Sequence, residues 1–299
     1  VGPEVVESVL RTRQAGRGRL VVIGTGEWTD RLKREYGVEA ISVQERAAVQ
    51  AGKPSEISGS VALQAMRLAA QGCLDGDFGG VVTGPISKHW CQQTGLDAPG
   101  QTEFFAKAWG GEPTMAFVAP SLRVALVTWH VPLLEVWEHI SESCLLRAIL
   151  NLRDLLERLG LDSPRIGVCG LNPHAGEQGA IGREEVDALN PMIDRIAARG
   201  GMELSGCHPA DTLFHRHVEG EFDGVVALYH DQALGPVKTV AFHEAVNVTL
   251  GLKHIRTSPD HGTGFDIAGK GLARPDSMAA AIDLALKLSV RPWPGTRDG

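Results

Sequence analysis

The sequence predicts an α/β protein, and three observations lead to that fold class. Short runs rich in Val and Ile alternate with longer segments in which apolar residues recur with helical period, a pattern typical of parallel βαβ units. Of the 299 residues, 43% are hydrophobic and 22% are charged, as in ordinary globular proteins. At about 100–200 residues per domain, this length indicates one large domain or two.

Seven strands are predicted where a short apolar run is bounded by Gly, Pro or charged residues. These runs are too short for typical helices and are enriched in β-branched residues, which suit a buried pleated surface. In chain order they are Arg19–Gly24, Gly79–Thr83, Met115–Val118, Arg123–Thr128, Arg165–Gly170, Gly224–Tyr229 and Ala245–Leu250.

Six helices are predicted from segments with helical period. They are Glu4–Gln14, Ser60–Gln71, Leu133–Ile140, Ser143–Leu159, Arg183–Arg199 and Pro275–Ser289. In the fourth, the apolar stripe consists of Leu145, Ile149, Leu152, Leu155 and Leu156. No repeat or Pro/Gly/Ser-rich linker divides the chain, so two domains would share it discontinuously.

The composition excludes several classes of partner. The net charge of −7 provides no basic field for nucleic acid or an anionic membrane, and no apolar run approaches the ~20 residues of a membrane-spanning helix. The five cysteines form no C-x-x-C pair, and their odd number favours a reducing cytoplasm over a disulfide framework. A small metabolite is therefore the expected partner.

Three histidines stand just after predicted strands, where ligands bind in α/β proteins. His130 follows VALVTW, His174 follows IGVCGLNP and His230 follows GVVALY. Three imidazoles could hold Zn²⁺ or another divalent ion and leave one position for substrate. Ordinary hydrogen-bonded histidines remain the alternative, since the chain has 11 histidines and the spacing matches no local metal motif.

Further polar groups lie in the segments near these histidines. Asp231, beside His230, could orient that ring or bind the ion itself. Lys238 and Arg256 are candidate anion binders, although most such side chains are simply solvated. No G-x-x-x-x-G-K-[ST], G-x-G-x-x-G or G-x-S-x-G motif occurs, so no P-loop, dinucleotide fingerprint or serine-hydrolase elbow is predicted.

Seven segments occur in a specific order along nearly the whole chain. They are GQTEFFA (Gly100–Ala106), HVPL from His130, GLNPHAGE (Gly170–Glu177), PADTLF (Pro209–Phe214), YHDQALGPVK (Tyr229–Lys238), VNVTLGL (Val246–Leu252) and RTSPDHGTGFDIAGKG from Arg256. In this order they resemble the 4-hydroxythreonine-4-phosphate dehydrogenase family of vitamin B6 biosynthesis. That family opens with a strand and a GDPAGIGPE loop, so the first residues, VGPE, lead us to expect that the natural chain is longer.

The resemblance implies an NAD- or NADP-dependent oxidation of 4-phosphohydroxy-L-threonine, followed by loss of CO₂. It implies that a divalent metal (Zn, Mg or Co) is bound by His130, His174 and His230. The implied substrate contacts are Thr102, Lys238, Asn247 and Arg256, together with position 101, which is Gln101 in this chain. As proton donor, Asp231 and Asp260 are candidates by proximity in sequence only.

The resemblance also implies an architecture like that of isocitrate and isopropylmalate dehydrogenases, with two α/β/α domains around a cleft. Residues 1–110 together with 252–299 would form the first domain. Residues 111–251 would form the second, which takes part in a homodimer whose interface contributes to the site.

Gln101 departs from the family pattern, which has a substrate-contacting His at this position. Gln can hydrogen-bond but cannot carry a proton or a positive charge. A paralogous dehydrogenase of erythronate or threonate 4-phosphate is therefore the main alternative. Two other classes stay open: a lyase or hydrolase with a three-histidine metal site and no nucleotide, and a two-lobed protein that only binds an anionic metabolite.

Overall fold

The computed structural model describes residues 1–12, 18–44, 47–200, 202 and 204–289. Contacts within the chain divide these residues into two compact units. The first unit runs from Val1 to Gly111 and again from Leu252 to the end of the described residues, and the second runs from Glu112 to Gly251. Both units combine strands with helices, which confirms the predicted α/β class.

Ten strands and ten α-helices are found in the described residues. The strands are β1 (Val21–Thr25), β2 (Glu39–Val43), β3 (Gly80–Val82), β4 (Gly111–Val118), β5 (Arg123–Leu126), β6 (Ile166–Cys169), β7 (Leu204–His208), β8 (Gly224–Ala227), β9 (Val246–Leu252) and β10 (Ile255–Pro259). The helices are α1 (Gly2–Thr12), α2 (Gly26–Tyr36), α3 (Glu56–Leu74), α4 (Lys88–Gln93), α5 (Gln101–Trp109), α6 (Glu142–Arg158), α7 (Asn190–Gly200), α8 (Ala210–Val218), α9 (His230–Ala241) and α10 (Asp276–Ser289). None of the described helices is both long and apolar enough to cross a membrane.

The first unit contains two pairs of parallel strands, β1 with β2 and β3 with β10. One apolar core lies around α3 and α5 and includes Leu63, Phe105 and Trp109. Another joins Val5 and Val9 of α1 to residues of α10. The edges of β1 and β3 border a cavity of about 910 Å³, so an apolar space adjoins both strands. The predicted end of the first helix, Gln14, lies outside the described residues.

The second unit is built on the strand order β9-β4-β5-β8-β6-β7. Strands β5, β8 and β6 are parallel, as predicted, and β7 extends this parallel order. Every residue of β6 and β8 is buried. The predicted stripe on α6 is confirmed, because Leu145, Ile149, Leu152, Leu155 and Leu156 are all fully buried. Strand β4 differs from the parallel pattern because it pairs antiparallel with β5 through a turn at Ala119–Leu122. That connection is far too short for a parallel crossover.

One predicted helix is wrong, and another is confirmed as helical except that its first turn is not an α-turn. Residues Leu133–Ile140 make two 3₁₀ turns instead of an α-helix, since the segment is short and buries only Val136 and Ile140, whereas Leu134 is 96% exposed. Residues Arg183–Arg199 begin with a π-turn, Glu185–Leu189, before α7 starts. Strands β2, β7 and β10 were not predicted, and neither were α2, α4, α5, α8 and α9.

His217 links the amino ends of β5 and β8 in the second unit. Its Nε2 accepts a hydrogen bond from the Arg123 backbone N–H at 3.0 Å, and its Nδ1 donates to the Phe222 carbonyl at 2.7 Å. Burial lowers the pKa of His217, against the opposing effect of the Phe222 carbonyl.

Acidification should therefore destabilise the protein through His217. A histidine whose folded-state pKa is lowered contributes stability that is complete above the unfolded pKa of about 6.5 and is lost as the pH falls below it. As the pH is lowered from about 7.5 to about 5.5, we expect the urea midpoint of unfolding to decrease, and to decrease less in His217→Gln than in the unsubstituted protein. An equal fall in His217→Gln would contradict the assignment to His217, and His215→Gln, at an exposed position on α8, is the matched control.

Candidate functional site

The three predicted metal-ligand histidines all lie at the carboxyl ends of neighbouring strands in the second unit. His130, His174 and His230 come within five residues of the ends of β5, β6 and β8, respectively. The parallel register pairs Leu126 with Ala227 and Val168 with Val226, so these strands end at nearly the same level. The sheet therefore directs all three histidine-bearing segments to one edge.

His130 and His230 form a pair. Their ring centroids are 5.9 Å apart, and the ring planes are inclined by 36°. The Nδ1 of His230 lies 2.7 Å from Oδ1 of Asp231, while the side chain of His230 remains 42% exposed. A carboxylate on Nδ1 fixes the orientation and tautomer of the ring and directs Nε2 away from the carboxylate, which is a common arrangement behind metal-binding histidines.

His174 stands in an unusual backbone segment. Five consecutive residues have φ between 44° and 79°, in the left-handed region, and four of the five are not glycine; they are His174, Ala175, Gly176, Glu177 and Gln178. His130 also has a positive φ, of 54°. Left-handed backbone costs roughly 1–2 kcal/mol at each non-glycine residue, and such strain concentrates at functional sites.

A buried carboxylate holds the segment that leads to His174. Glu185 is fully buried, and its Oε1 accepts hydrogen bonds from the backbone N–H groups of Leu171 and Asn172 at 2.8 and 2.7 Å. Its Oε2 accepts from Nδ2 of Asn172 at 2.9 Å. A Cβ atom on Gly176 would come within 2.6 Å of this same oxygen, so only glycine fits there.

The chemistry of the three imidazoles fits a divalent ion such as zinc, because neutral histidine nitrogens are preferred ligands of such ions. The spacing of the His130 and His230 rings is compatible with two ligands of one ion. The structure does not gather a complete set: in the ranges described above, no three His, Cys, Asp or Glu side chains are arranged to hold a metal. His174 therefore does not join the pair in this conformation.

Two predicted substrate contacts also belong to the second unit. Lys238 lies on α9, half-buried, with its Nζ 5.1 Å from the centre of the Phe242 ring. Asn247 is half-buried within β9. The assignment of both side chains as substrate contacts stays a prediction.

The first unit holds a buried guanidinium, that of Arg256 on β10, which is only 5% exposed. Its Nε and Nη2 donate to Oγ1 of Thr83 at 3.2 and 3.0 Å, and Nη2 also donates to Oε1 of Gln101 at 2.8 Å. Burial lowers the pKa of Arg256 to about 10, against the opposing charge of Glu103. The side chain is therefore still cationic at neutral pH, which suits an anion binder.

Gln101 uses both ends of its amide within the protein. Oε1 accepts from Arg256, while Nε2 donates to the Gly84 carbonyl at 3.0 Å. Thr102 is buried beside it in the first turn of α5. Asp260 follows β10, and its backbone N–H donates to Oγ of Ser277 at 2.9 Å. The structure thus brings Gln101 together with Arg256.

Comparison with known proteins identifies the family. The family described as "Pyridoxal phosphate biosynthetic protein PdxA" matches residues 8–285. The chain belongs to this family. The resemblance inferred from the ordered motifs is thereby confirmed.

Members of the PdxA family resemble this chain along almost its whole length. A 4-hydroxythreonine-4-phosphate dehydrogenase from Caulobacter vibrioides is 37% identical, covering 97% of this chain and 95% of the relative. The crystal structure of such an enzyme from Klebsiella pneumoniae has a TM-score of 0.86 and 31% identity, covering 97% of this chain and 96% of that one. One from Burkholderia phymatum has a TM-score of 0.81 and 37% identity, with 96% and 94% covered.

Four residues of this PdxA-family chain that shape the candidate sites were not predicted from the sequence. Thr83 bonds to Arg256, Glu185 holds the segment before His174, and Thr128 and Gln232 bond to the backbone at the ends of the histidine-bearing strands. Thr83 and Gln232 lie in segments that the sequence singled out, the end of a strand and the YHDQ motif. Glu185 had no such signal, because its partners lie 13 and 14 residues away in the chain and its contacts are with backbone N–H groups.

Proposed function

We propose that this protein is a dehydrogenase that oxidises and decarboxylates 4-phosphohydroxy-L-threonine in pyridoxal phosphate biosynthesis. The observation that carries the proposal is the pairing of His130 and His230. The two residues follow β5 and β8, which end at the same level of the sheet, and Asp231 orients the His230 ring. This arrangement occurs in a chain of the PdxA family whose relatives are named 4-hydroxythreonine-4-phosphate dehydrogenase.

His130, His174 and His230 would hold a divalent ion, with Zn, Mg and Co as candidates. When bound, such an ion supplies Lewis acidity that lowers the pKa of a substrate hydroxyl and polarises the carbonyl formed from it. His174 would have to join the other two rings on metal binding. The carboxylate of Asp231 would keep His230 in the tautomer that presents Nε2 to the ion.

The cationic groups would bind the anionic parts of the substrate. Arg256, with a guanidinium fixed by Thr83 and Gln101, is suited to a phosphate or carboxylate because its donors form a rigid planar fork. Lys238 would contribute a point charge, while Asn247 and Thr102 would contribute hydrogen bonds. Holding the substrate in a reactive orientation supplies part of the rate enhancement.

The two candidate acids differ in their surroundings. Asp231 accepts from His230 and its side chain is 90% exposed, which supports an orienting role for this carboxylate. Asp260 is half-buried at the end of β10, directly before His261. Asp260 is therefore the candidate donor of the proton that takes the place of CO₂ on the substrate carbon.

The hydride acceptor would be NAD or NADP. Strand β1 ends at Thr25 and α2 begins at Gly26, so this junction has no loop of the kind that cradles a dinucleotide pyrophosphate. This supports a nucleotide site of another type, as the resemblance implies. We further propose that the two units correspond to the two predicted domains, that the protein works as a homodimer, and that its five free thiols reflect a cytoplasmic location.

An assay of nicotinamide reduction tests the proposal. Purified protein would be mixed with NAD or NADP, a divalent metal and either 4-phosphohydroxy-L-threonine or erythronate 4-phosphate. We expect metal-dependent formation of the reduced nucleotide and release of CO₂ with the first substrate, and loss of both on treatment with a chelator.

Each other outcome selects a different function. Reduction with erythronate 4-phosphate alone would identify the paralogous activity and make Gln101 a marker of it. Metal-dependent consumption of substrate without reduction of the nucleotide would favour the lyase or hydrolase. Binding without turnover of either substrate would contradict the dehydrogenase and favour a binding protein.

A further inference from the structure

Strands β6 and β8 separate at their carboxyl ends in an unusual way. Their last registered pair is Val168 with Val226, and continuing the same register would place Gly170 opposite Leu228. At this level the side-chain amide of Gln232 connects the two strands. The Leu228 N–H donates to Oε1 of Gln232 at 2.7 Å, and Nε2 of Gln232 donates to the Gly170 carbonyl at 2.8 Å.

The amide of Gln232 therefore replaces one step of the backbone ladder. It satisfies a donor on one strand and an acceptor on the other, as a peptide group would, but it inserts its own width between them. Gln232 is only 8% exposed, and both of these hydrogen bonds are buried. Because a buried amide needs both partners, the spacing of the two strand ends is strictly constrained.

The opposite side of Leu228 is also held. Its carbonyl accepts from Oγ1 of Thr128 at 2.7 Å and from the Thr128 backbone N–H at 3.1 Å. Leu228, directly after β8, thus connects three strand ends. Thr128 joins it to the end of β5, and Gln232 joins it to the end of β6. His130 and His230 follow two residues after Thr128 and Leu228, respectively, and His174 follows four residues after Gly170.

We propose that Gln232 is a positioning residue that sets the separation of the histidine-bearing strand ends, and hence the affinity and geometry of the metal site. The inference rests on the proposed function in one respect, that these histidines bind a divalent ion. It goes further by assigning the spacing of the ligands to a buried amide whose two ends bond to the backbone at the ends of β6 and β8.

The test measures binding of Co²⁺ alone to the full chain, by its visible absorption and by competition with a chelator. Gln232→Met keeps the length of the side chain but leaves the Leu228 N–H and the Gly170 carbonyl without the amide. Gln232→Glu keeps the acceptor but sets an oxygen against the Gly170 carbonyl. We expect Co²⁺ affinity to fall by about 10- to 100-fold in both variants, with an altered absorption spectrum.

His217→Met is the matched control, because His217 forms the same kind of buried link at the other end of β5 and β8. It should lower thermal stability about as much as Gln232→Met while leaving Co²⁺ affinity and spectrum unchanged.

The outcomes separate this inference from the proposed function. Wild-type affinity and spectrum in both Gln232 variants would overturn the positioning role alone, while loss of Co²⁺ binding in His230→Ala would still support the metal site. If His217→Met weakened Co²⁺ binding as much as the Gln232 variants do, the effect of Gln232 would be on general stability and the positioning role would be wrong. If the wild-type protein binds no Co²⁺, or if His230→Ala binds it normally, both the metal site and this inference are wrong.

Discussion

Replacing His174 with Ala should abolish turnover and lower the amount of bound divalent metal. The substitution removes one of three proposed imidazole ligands, and a site with two ligands holds an ion weakly. Stabilisation of developing charge by a metal is worth several kcal/mol, so we expect kcat/KM to fall by about three orders of magnitude. Steady-state kinetics and metal analysis of the dialysed protein would measure both effects.

The same substitution should leave the fold intact, with at most a small loss of stability. His174 is exposed and has a φ of 53°, in the left-handed region, which His adopts somewhat more readily than Ala. His215→Ala, at an exposed histidine on α8, controls for loss of an imidazole and should leave rate and metal content unchanged. A normal rate and metal content in His174→Ala would refute the ligand assignment.

The sequence predicted the parts of the fold that depend on local pattern. Strands β5, β6 and β8 are short Val-rich runs, and the apolar stripe of α6 repeats with helical period, so burial of each was evident. Strand β2 was missed because three of its five residues are exposed and it carries no apolar run. The antiparallel turn of β4 into β5 did have a local signal, Pro120-Ser121 between two apolar runs.

The parts of the site that escaped prediction depend on long-range contacts between side chains and backbone. Arg183–Arg199 has the pattern of one helix, yet it starts with a π-turn where the Glu185 carboxylate bonds to the backbone of Leu171 and Asn172. Gln232 lay within a recognised motif, but no pattern shows that its amide connects two strands. The strand-end rule found the three histidines, since it needs only the ends of the apolar runs.

Replacing Arg256 with Met should weaken substrate binding while leaving the free protein as stable as before or more stable. Hydrogen bonds to charged groups contribute about 1.5–3 kcal/mol, so we expect KM for the phosphorylated substrate to rise about 10- to 100-fold. Arg256→Lys should restore little, because one ammonium cannot reproduce the planar fork that reaches Thr83 and Gln101. The exposed Arg67, replaced by Met, is the matched control in the same unit.

The stability half of this prediction follows from the pKa of Arg256. A cation whose pKa is lowered by burial is less favourable in the folded than in the unfolded protein, and this penalty applies fully below the folded-state pKa of about 10. At neutral pH the substitution removes the penalty together with the hydrogen bonds to Thr83 and Gln101. Replacing a buried charge with an apolar side chain of similar volume is often neutral or stabilising.

Urea denaturation of the free protein and KM measurement therefore separate two roles for Arg256. An unchanged or raised urea midpoint with a raised KM would show that the buried charge is retained for an anionic ligand. A lowered midpoint with an unchanged KM would show instead that the guanidinium serves the fold through Thr83 and Gln101, and would remove Arg256 from the substrate site. The geometry favours the first result, because Thr83 and Gln101, which accept hydrogen bonds from the buried guanidinium, are neutral groups.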